Sequence, residues 1–112
     1  MGTFFHPITI VGPNGEETVE ALVDTEHLFA LIPADVVERL GVKLLGERTT
    51  REGRRITQTE ARLGAESGWV MSEIGEPGEE PRIGRHTLDS FLLDIDPEGN
   101  LVPKELHEVR HF

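Results

Sequence analysis

The chain has no cysteine and only half as many cations as anions. Without cysteine, it can form no disulfide and offers no thiolate for catalysis or metal binding. Its 11 Lys and Arg residues stand against 21 Asp and Glu residues, for a net charge of -10. Such a charge repels the phosphates of nucleic acids and anionic membrane surfaces. We therefore expect no nucleic-acid partner.

Long apolar runs are also missing. No stretch approaches the roughly 20 apolar residues that a membrane span needs, and the first residues show no signal-peptide pattern. We therefore expect no membrane partner and a cytoplasmic location. The length of 112 residues, with 37% hydrophobic and 29% charged residues, is typical of one globular domain, which we place at residues 1–112. We expect no cofactor.

Short β-forming runs separated by Gly and Pro dominate the chain and predict a mostly-β domain. The pair Asn14-Gly15 predicts a hairpin whose two turn residues both have positive φ. Two short helices are predicted, one that follows Pro33 and ends at Gly41 and one near 87–91, capped by Thr87 or the residues before it. The predicted strands cover 4–11, 17–24, 28–32, 67–74, 92–95 and 101–102, with a long hairpin over 47–63. Together these elements predict a small closed β-barrel with one or two short helices.

Asp24 is the most informative single residue. It ends an apolar run that begins at Val19, Thr25 follows it, and a second apolar run closes with Leu31-Ile32-Pro33. A carboxylate between apolar runs is costly unless it is hydrogen-bonded or has a chemical task. In isolation, the pattern is also typical of an Asp that caps a turn after a buried strand.

The strand, Asp24-Thr25 and the following apolar run resemble the active-site segment of the retropepsin-like (retroviral-type) aspartic proteases. Other segments resemble that family in the same order along the chain. Residues 47–58 fall where the family has its flap hairpin, and Ile83-Gly84-Arg85 before a helix resembles its second signature. Residues 92–97 and 101–103 resemble its closing strands.

The resemblance implies a homodimer, because each chain supplies one aspartate and a dyad needs two. It implies that Asp24 is the catalytic aspartate and that the Thr25 hydroxyl braces the two turns across the dimer axis. It also implies a peptide or protein substrate. The implied substrate-binding residues are Glu26, His27, Gly53, Ile83 and Gly84.

The motif here is Asp-Thr-Glu in place of the family's Asp-Thr-Gly. Glu26 and His27 occupy positions that are small in the family because the substrate backbone passes over them, so they imply a changed turn or a filled cleft. Two copies of Glu26 beside an Asp24 pair would also raise carboxylate pKa values and disturb the sharing of one proton. The family's Asp partner for Arg85 is Leu28 here, which leaves Glu26 as a candidate partner.

Two functional hypotheses follow. We favour a dimeric retropepsin-like pseudoenzyme that serves binding or structure. The alternative is an active homodimeric aspartic endopeptidase in which the Asp24 pair activates water.

A second motif lies at the C-terminal end, where His107-Glu108-Val109-Arg110-His111 matches the H-E-x-x-H pattern of zinc proteases. Only Phe112 follows, so the sequence offers no third ligand downstream. We therefore interpret this segment as a polar tail and predict no catalytic metal. Trp69, beside Val70 and Met71, is expected in the core or at a dimer interface.

Overall fold

The computed structural model describes residues 4–44 and 49–104. Eight strands and two helices lie within these ranges. In chain order they are β1 (Phe4–Gly12), β2 (Gly15–Val23), β3 (Ala30–Pro33), α1 (Ala34–Leu40), β4 (Ile56–Leu63), β5 (Glu66–Gly75), β6 (Arg82–Ile83), α2 (Arg85–Ser90), β7 (Leu93–Ile95) and β8 (Leu101–Pro103). Neither of the helices in the described ranges has the length and apolarity to cross a bilayer.

Six strands close into a barrel in the order β1-β2-β6-β3-β5-β4, and β7 and β8 form a separate two-stranded sheet. The β1–β2 and β4–β5 hairpins are antiparallel, whereas β2 pairs with β6 and β3 with β5 in parallel. The predicted mostly-β closed barrel with two short helices is confirmed.

The core fills the barrel because alternate strand residues point inward. In β4, for example, Thr57, Thr59, Ala61 and Leu63 are buried in strict alternation. The two inward hydroxyls are satisfied, since Thr59 bonds the Ser72 hydroxyl at 2.8 Å and Thr57 donates to a backbone carbonyl. The buried apolar cluster consists of Ile8, Ile10, Ala21, Ile32, Val36, Val37, Leu40, Ala61, Leu63, Val70, Ile83, Leu88 and Phe91.

The first hairpin is present, but its turn lies one residue earlier than predicted. Gly12 pairs with Gly15, so the turn residues are Pro13 and Asn14. A proline such as Pro13 has its φ fixed at about -65°, which excludes the predicted turn with two positive φ angles. The prediction of positive φ at Asn14 is therefore wrong, whereas Gly15 does have a φ of 136°.

Helix α1 begins and ends as predicted. Pro33 precedes it in an extended conformation, and Gly41 follows it in the left-handed region with a φ of 68°. Helix α2 begins at Arg85, earlier than predicted, with Gly84 before it and no side-chain cap. Thr87 is fully buried inside this helix, so its prediction as the cap is wrong.

Two strand predictions also need correction. Strand β3 starts at Ala30, because the Leu28 carbonyl accepts a hydrogen bond from the start of α2 and the Phe29 carbonyl accepts one from Arg82. The prediction of a hairpin over 47–63 is wrong, because β4 does not pair with the described residues directly before it. It pairs with β5 across a turn at Gly64 (φ 62°). Residues 45–48 lie outside the described ranges.

A separate tight turn carries Gly53. The Gly53 N–H donates to the Thr50 carbonyl at 2.9 Å, Gly53 has a φ of 87°, and a single bridge joins Thr49 to Arg55. Gly53 therefore does lie at the tip of a turn, as predicted, although the turn is shorter than a flap over 47–58.

Candidate active site

Strand β2 delivers Asp24 to the edge of the barrel. The Asp24 N–H donates to the Ile83 carbonyl at 3.0 Å, which continues the parallel pairing of β2 with β6 by one residue. Because β2 is held on both sides, the position of Asp24 is fixed by the barrel itself. The structure thus brings together Asp24 and Ile83, two of the residues that the resemblance implies for the site.

Both oxygens of the Asp24 carboxylate have partners in their own turn. Oδ1 accepts the Glu26 N–H at 3.0 Å, and Oδ2 lies 2.7 Å from His27 Nδ1. The Asp24 side chain is 28% exposed and that of His27 is 55% exposed. The Asp24 backbone carbonyl also accepts the His27 N–H at 3.3 Å. The carboxylate therefore organises the whole turn.

These contacts set the pKa of Asp24. Burial raises it, but the hydrogen bonds from His27 and from the Glu26 N–H, with the positive charge of nearby Arg82, lower it more. The result is a pKa below the ordinary value for aspartate. Within one chain the group is held in its charged form.

Gly84 is required where it stands. A Cβ atom on Gly84 would lie 2.5 Å from the Phe29 carbonyl oxygen and 2.7 Å from that of Leu28. Its φ of -96° is ordinary, so the need is for space and not for a special backbone angle. This close approach lets the Arg85 N–H reach the His27 carbonyl at 2.9 Å. The second segment is therefore packed directly against the Asp24 turn.

Arg85 contacts the same turn through its side chain. Its Nε donates to the Thr25 carbonyl at 3.2 Å. From the sequence, Glu26 is a candidate partner for Arg85. In the structure, Arg85 instead bonds the backbone carbonyl of Thr25. Thr25 is half-buried, and no described residue bonds its hydroxyl.

Gly53 stands apart from these residues. It lines a groove of about 450 Å³ with Glu52, Arg54, Arg55, Ile74 and Glu76, and Asp24 does not line that groove. The role of Gly53 toward a substrate stays a prediction. Glu26 is exposed beside Asp24, and its role also stays a prediction.

Sequence reasoning missed an ion-pair network beside the site. Arg54 makes two hydrogen bonds to the Glu79 carboxylate, at 2.8 and 2.9 Å. Arg82 Nη2 lies 2.8 Å from Glu73 Oε2, and each of these two side chains is 13% exposed. Partners 9 and 25 positions apart in sequence leave no local pattern that identifies them.

Trp69 lies on a different face. Trp69 is 63% exposed, so its expected place in the core is wrong, whereas its expected place at a dimer interface stays a prediction. It borders an apolar groove of about 570 Å³ together with Val11, Pro13, Val42 and Lys43. The H-E-x-x-H segment lies outside the described residues.

No protein-family model matches the chain, and no curated protein sequence matches it. Solved structures do match. The retroviral protease-like domain of Ddi1 from Leishmania major superposes with a TM-score of 0.67 at 22% identity, over 92% of this chain and 86% of that one. A retropepsin-like aspartic protease from Rickettsia conorii gives a TM-score of 0.63 at 19% identity, over 87% and 77% of the two chains. The barrel, its two helices and these matches establish that the chain has the fold of the retropepsin-like aspartic proteases.

Proposed function

We propose that the chain forms a homodimer about its Asp24 turn and serves as a non-catalytic module that binds a peptide or protein partner. The observation that carries this proposal is the contact of 2.7 Å between His27 Nδ1 and Asp24 Oδ2. The residue that would have to act as acid and base is instead occupied by a neighbour in its own turn.

The chemistry of an aspartic dyad explains why this contact matters. Two carboxylates share one proton, so that one activates water while the other protonates the substrate carbonyl. In this chain one Asp24 oxygen accepts the Glu26 N–H and the other accepts His27 Nδ1–H. Within one chain these bonds lower the pKa of the Asp24 carboxyl and hold both of its oxygens in the turn. A pair of such groups is poorly suited to acid–base work.

Two features of the turn support the dimer. The Thr25 hydroxyl has no partner among the described residues, which suits a contact with a second copy of the chain. Leu28, directly after the turn, is 56% exposed although it is apolar. An interface centred on the turn would cover both groups.

The test measures peptide cleavage and mass together. Wild-type protein is incubated with a broad peptide library between about pH 3 and pH 7.5, and its molar mass is measured by light scattering. We expect a dimer that cleaves nothing, and an Asp24→Asn variant that retains partner binding. The double variant Glu26→Gly with His27→Ala removes the His27 contact from the Asp24 carboxylate. It is the matched positive control, in which we expect cleavage. Cleavage by the wild type that is lost in Asp24→Asn would overturn the proposal.

A second candidate function is an active homodimeric aspartic endopeptidase. One observation favours it: Asp24 remains 28% exposed at the end of β2, with a backbone N–H orienting one of its oxygens. Under this reading a substrate would displace His27. It predicts acid-dependent cleavage that pepstatin inhibits and that Asp24→Asn abolishes.

A further inference from the structure

The imidazole of His27 has one committed nitrogen and one open nitrogen. Nδ1 lies 2.7 Å from Asp24 Oδ2, so with a carboxylate as acceptor this nitrogen carries the proton. The lone pair is then on Nε2, which no described residue bonds, and the side chain is 55% exposed. A carboxylate that fixes the tautomer of an exposed imidazole is the usual support of a metal-binding histidine.

Backbone hydrogen bonds fix the main chain of His27, and the Asp24 carboxylate holds its ring. The His27 N–H donates to the Asp24 carbonyl, and the His27 carbonyl accepts the Arg85 N–H at 2.9 Å. A ligand held by its own turn and by a helix loses little freedom when a metal binds. The imidazole is therefore pre-organised.

One chain alone does not complete a metal site. No group of three or more His, Asp or Glu side chains able to hold a metal ion is present within residues 4–44 and 49–104. Glu26 and His27 supply one carboxylate and one imidazole, both exposed beside Asp24. A two-fold axis at the turn doubles them to two nitrogens and two oxygens, which is a full set for tetrahedral Zn²⁺.

The charge of the molecule favours the same result. Each chain carries a net charge of -10, and a dimer about the turn brings two Asp24 and two Glu26 carboxylates together. Like charges at close range oppose such an interface. A divalent cation at the axis offsets part of this repulsion.

We infer that two chains bind one Zn²⁺ between their Asp24 turns, with His27 Nε2 and the Glu26 carboxylate of each chain as ligands and Asp24 as the positioning residue. The inference rests on the homodimer of the proposed function. Four protein ligands leave no open position, so the ion links the two chains and carries no reaction.

The experiment removes the competing metal ligands of the tail first. All variants are built on full-length protein with His107→Ala and His111→Ala. Metal-free protein is titrated with Zn²⁺ against a chromophoric chelator, its mass is measured with and without the metal, and Co²⁺ serves as a spectroscopic substitute. We expect one Zn²⁺ per two chains, with the intense visible bands of tetrahedral cobalt.

Three variants separate ligation from structure. His27→Ala should abolish Zn²⁺ binding, and Glu26→Gln should weaken it and shift the cobalt spectrum. Asp24→Asn should keep the stoichiometry of one ion per two chains but weaken binding about 10–100-fold, as loss of a ligand's hydrogen-bond partner does elsewhere. His86→Ala is the matched control, because this histidine packs edge-on against Phe29 and should leave binding unchanged.

The outcomes distinguish the two proposals. A metal-free dimer that binds no Zn²⁺ overturns this inference and leaves the proposed function standing. A monomer both with and without Zn²⁺ overturns the proposed homodimer as well. One Zn²⁺ per chain, or binding retained in His27→Ala, places the metal elsewhere and overturns the inference.

Discussion

The ion pair between Glu73 and Arg82 should contribute measurably to folding, unlike a surface pair of the same length. Arg82 Nη2 lies 2.8 Å from Glu73 Oε2, and both side chains are only 13% exposed. Arg39 Nη2 lies at the same 2.8 Å from Glu17 Oε2, but these side chains are 54% and 32% exposed. The two pairs therefore differ in solvent contact, although the exposed pair is the one with two hydrogen bonds, since Arg39 Nε also donates to Glu17 Oε1 at 3.1 Å.

The magnitude follows from the dielectric environment. Two unit charges about 4 Å apart attract by about 1 kcal/mol in water and about 4 kcal/mol at an effective dielectric constant of 20. Desolvation removes part of the larger figure, so we expect a coupling free energy of about 2 kcal/mol for Glu73 and Arg82. Loss of Arg82 alone should cost about 2–3 kcal/mol, because it leaves a largely buried carboxylate whose nearest remaining cation is Arg54 at 3.9 Å.

The assay is a double-mutant cycle. Free energies of unfolding in urea are measured for Arg82→Met, Glu73→Met and the double variant, and a parallel cycle uses Arg39→Met and Glu17→Met. The surface cycle should give the smaller coupling, below about 1 kcal/mol, because solvent screens the exposed pair even though Arg39 bonds both Glu17 oxygens. Equal couplings in the two cycles would refute the reasoning, because burial would then have no effect on the pair.

Three further predictions concern stability. Gly84→Ala should lower the free energy of unfolding by about 1–3 kcal/mol, because its Cβ would meet two backbone carbonyls, and thermal unfolding measures this. The Arg54 guanidinium and a backbone N–H lower the pKa of Glu79 from 4.5. The ionised Glu79 therefore stabilises the fold fully above pH 4.5, and this stabilisation is lost as the pH falls below that value. When the pH is lowered, the urea midpoint of unfolding should therefore decrease less in Glu79→Gln than in the wild type. Thr87→Val should stabilise by about 1 kcal/mol, since this buried hydroxyl has no partner among the described residues, whereas Thr59→Val should destabilise; equal signs would contradict this.

The architecture was predictable because its signals are local. Pro33 and Gly41 enclose α1 within a few residues, and β-forming runs separated by glycines gave the barrel. Where a prediction failed, a contact with a distant segment decided the outcome. Strand β3 starts late because the carbonyls of Leu28 and Phe29 bond to the start of α2 and to Arg82. No sequence window contains both partners.

The site was predictable in its position but not in its contacts. Asp24 follows the end of its strand, as predicted, and its N–H bonds the Ile83 carbonyl, which was not predicted. From the sequence alone, His27 is interpreted as a bulky residue in the substrate cleft. Its bond to Asp24 depends on the shape of the turn, which lets side chains three positions apart meet. This bond lowers the pKa of Asp24 within one chain, whereas the rise expected from two Glu26 charges concerns a dimer and stays a prediction.

The backbone at Glu26 separates two explanations for the departure from Asp-Thr-Gly. Leu92 is the one non-glycine residue with positive φ in the described ranges, so Glu26 lies outside the left-handed region. The turn therefore does not need glycine for its conformation, and its hydrogen bond from the Glu26 N–H to Asp24 forms with a glutamate in place. What the glutamate changes is the space and the charge above the turn. The glutamate is thus compatible with the fold of the turn, and its consequences are to be sought in what can approach Asp24.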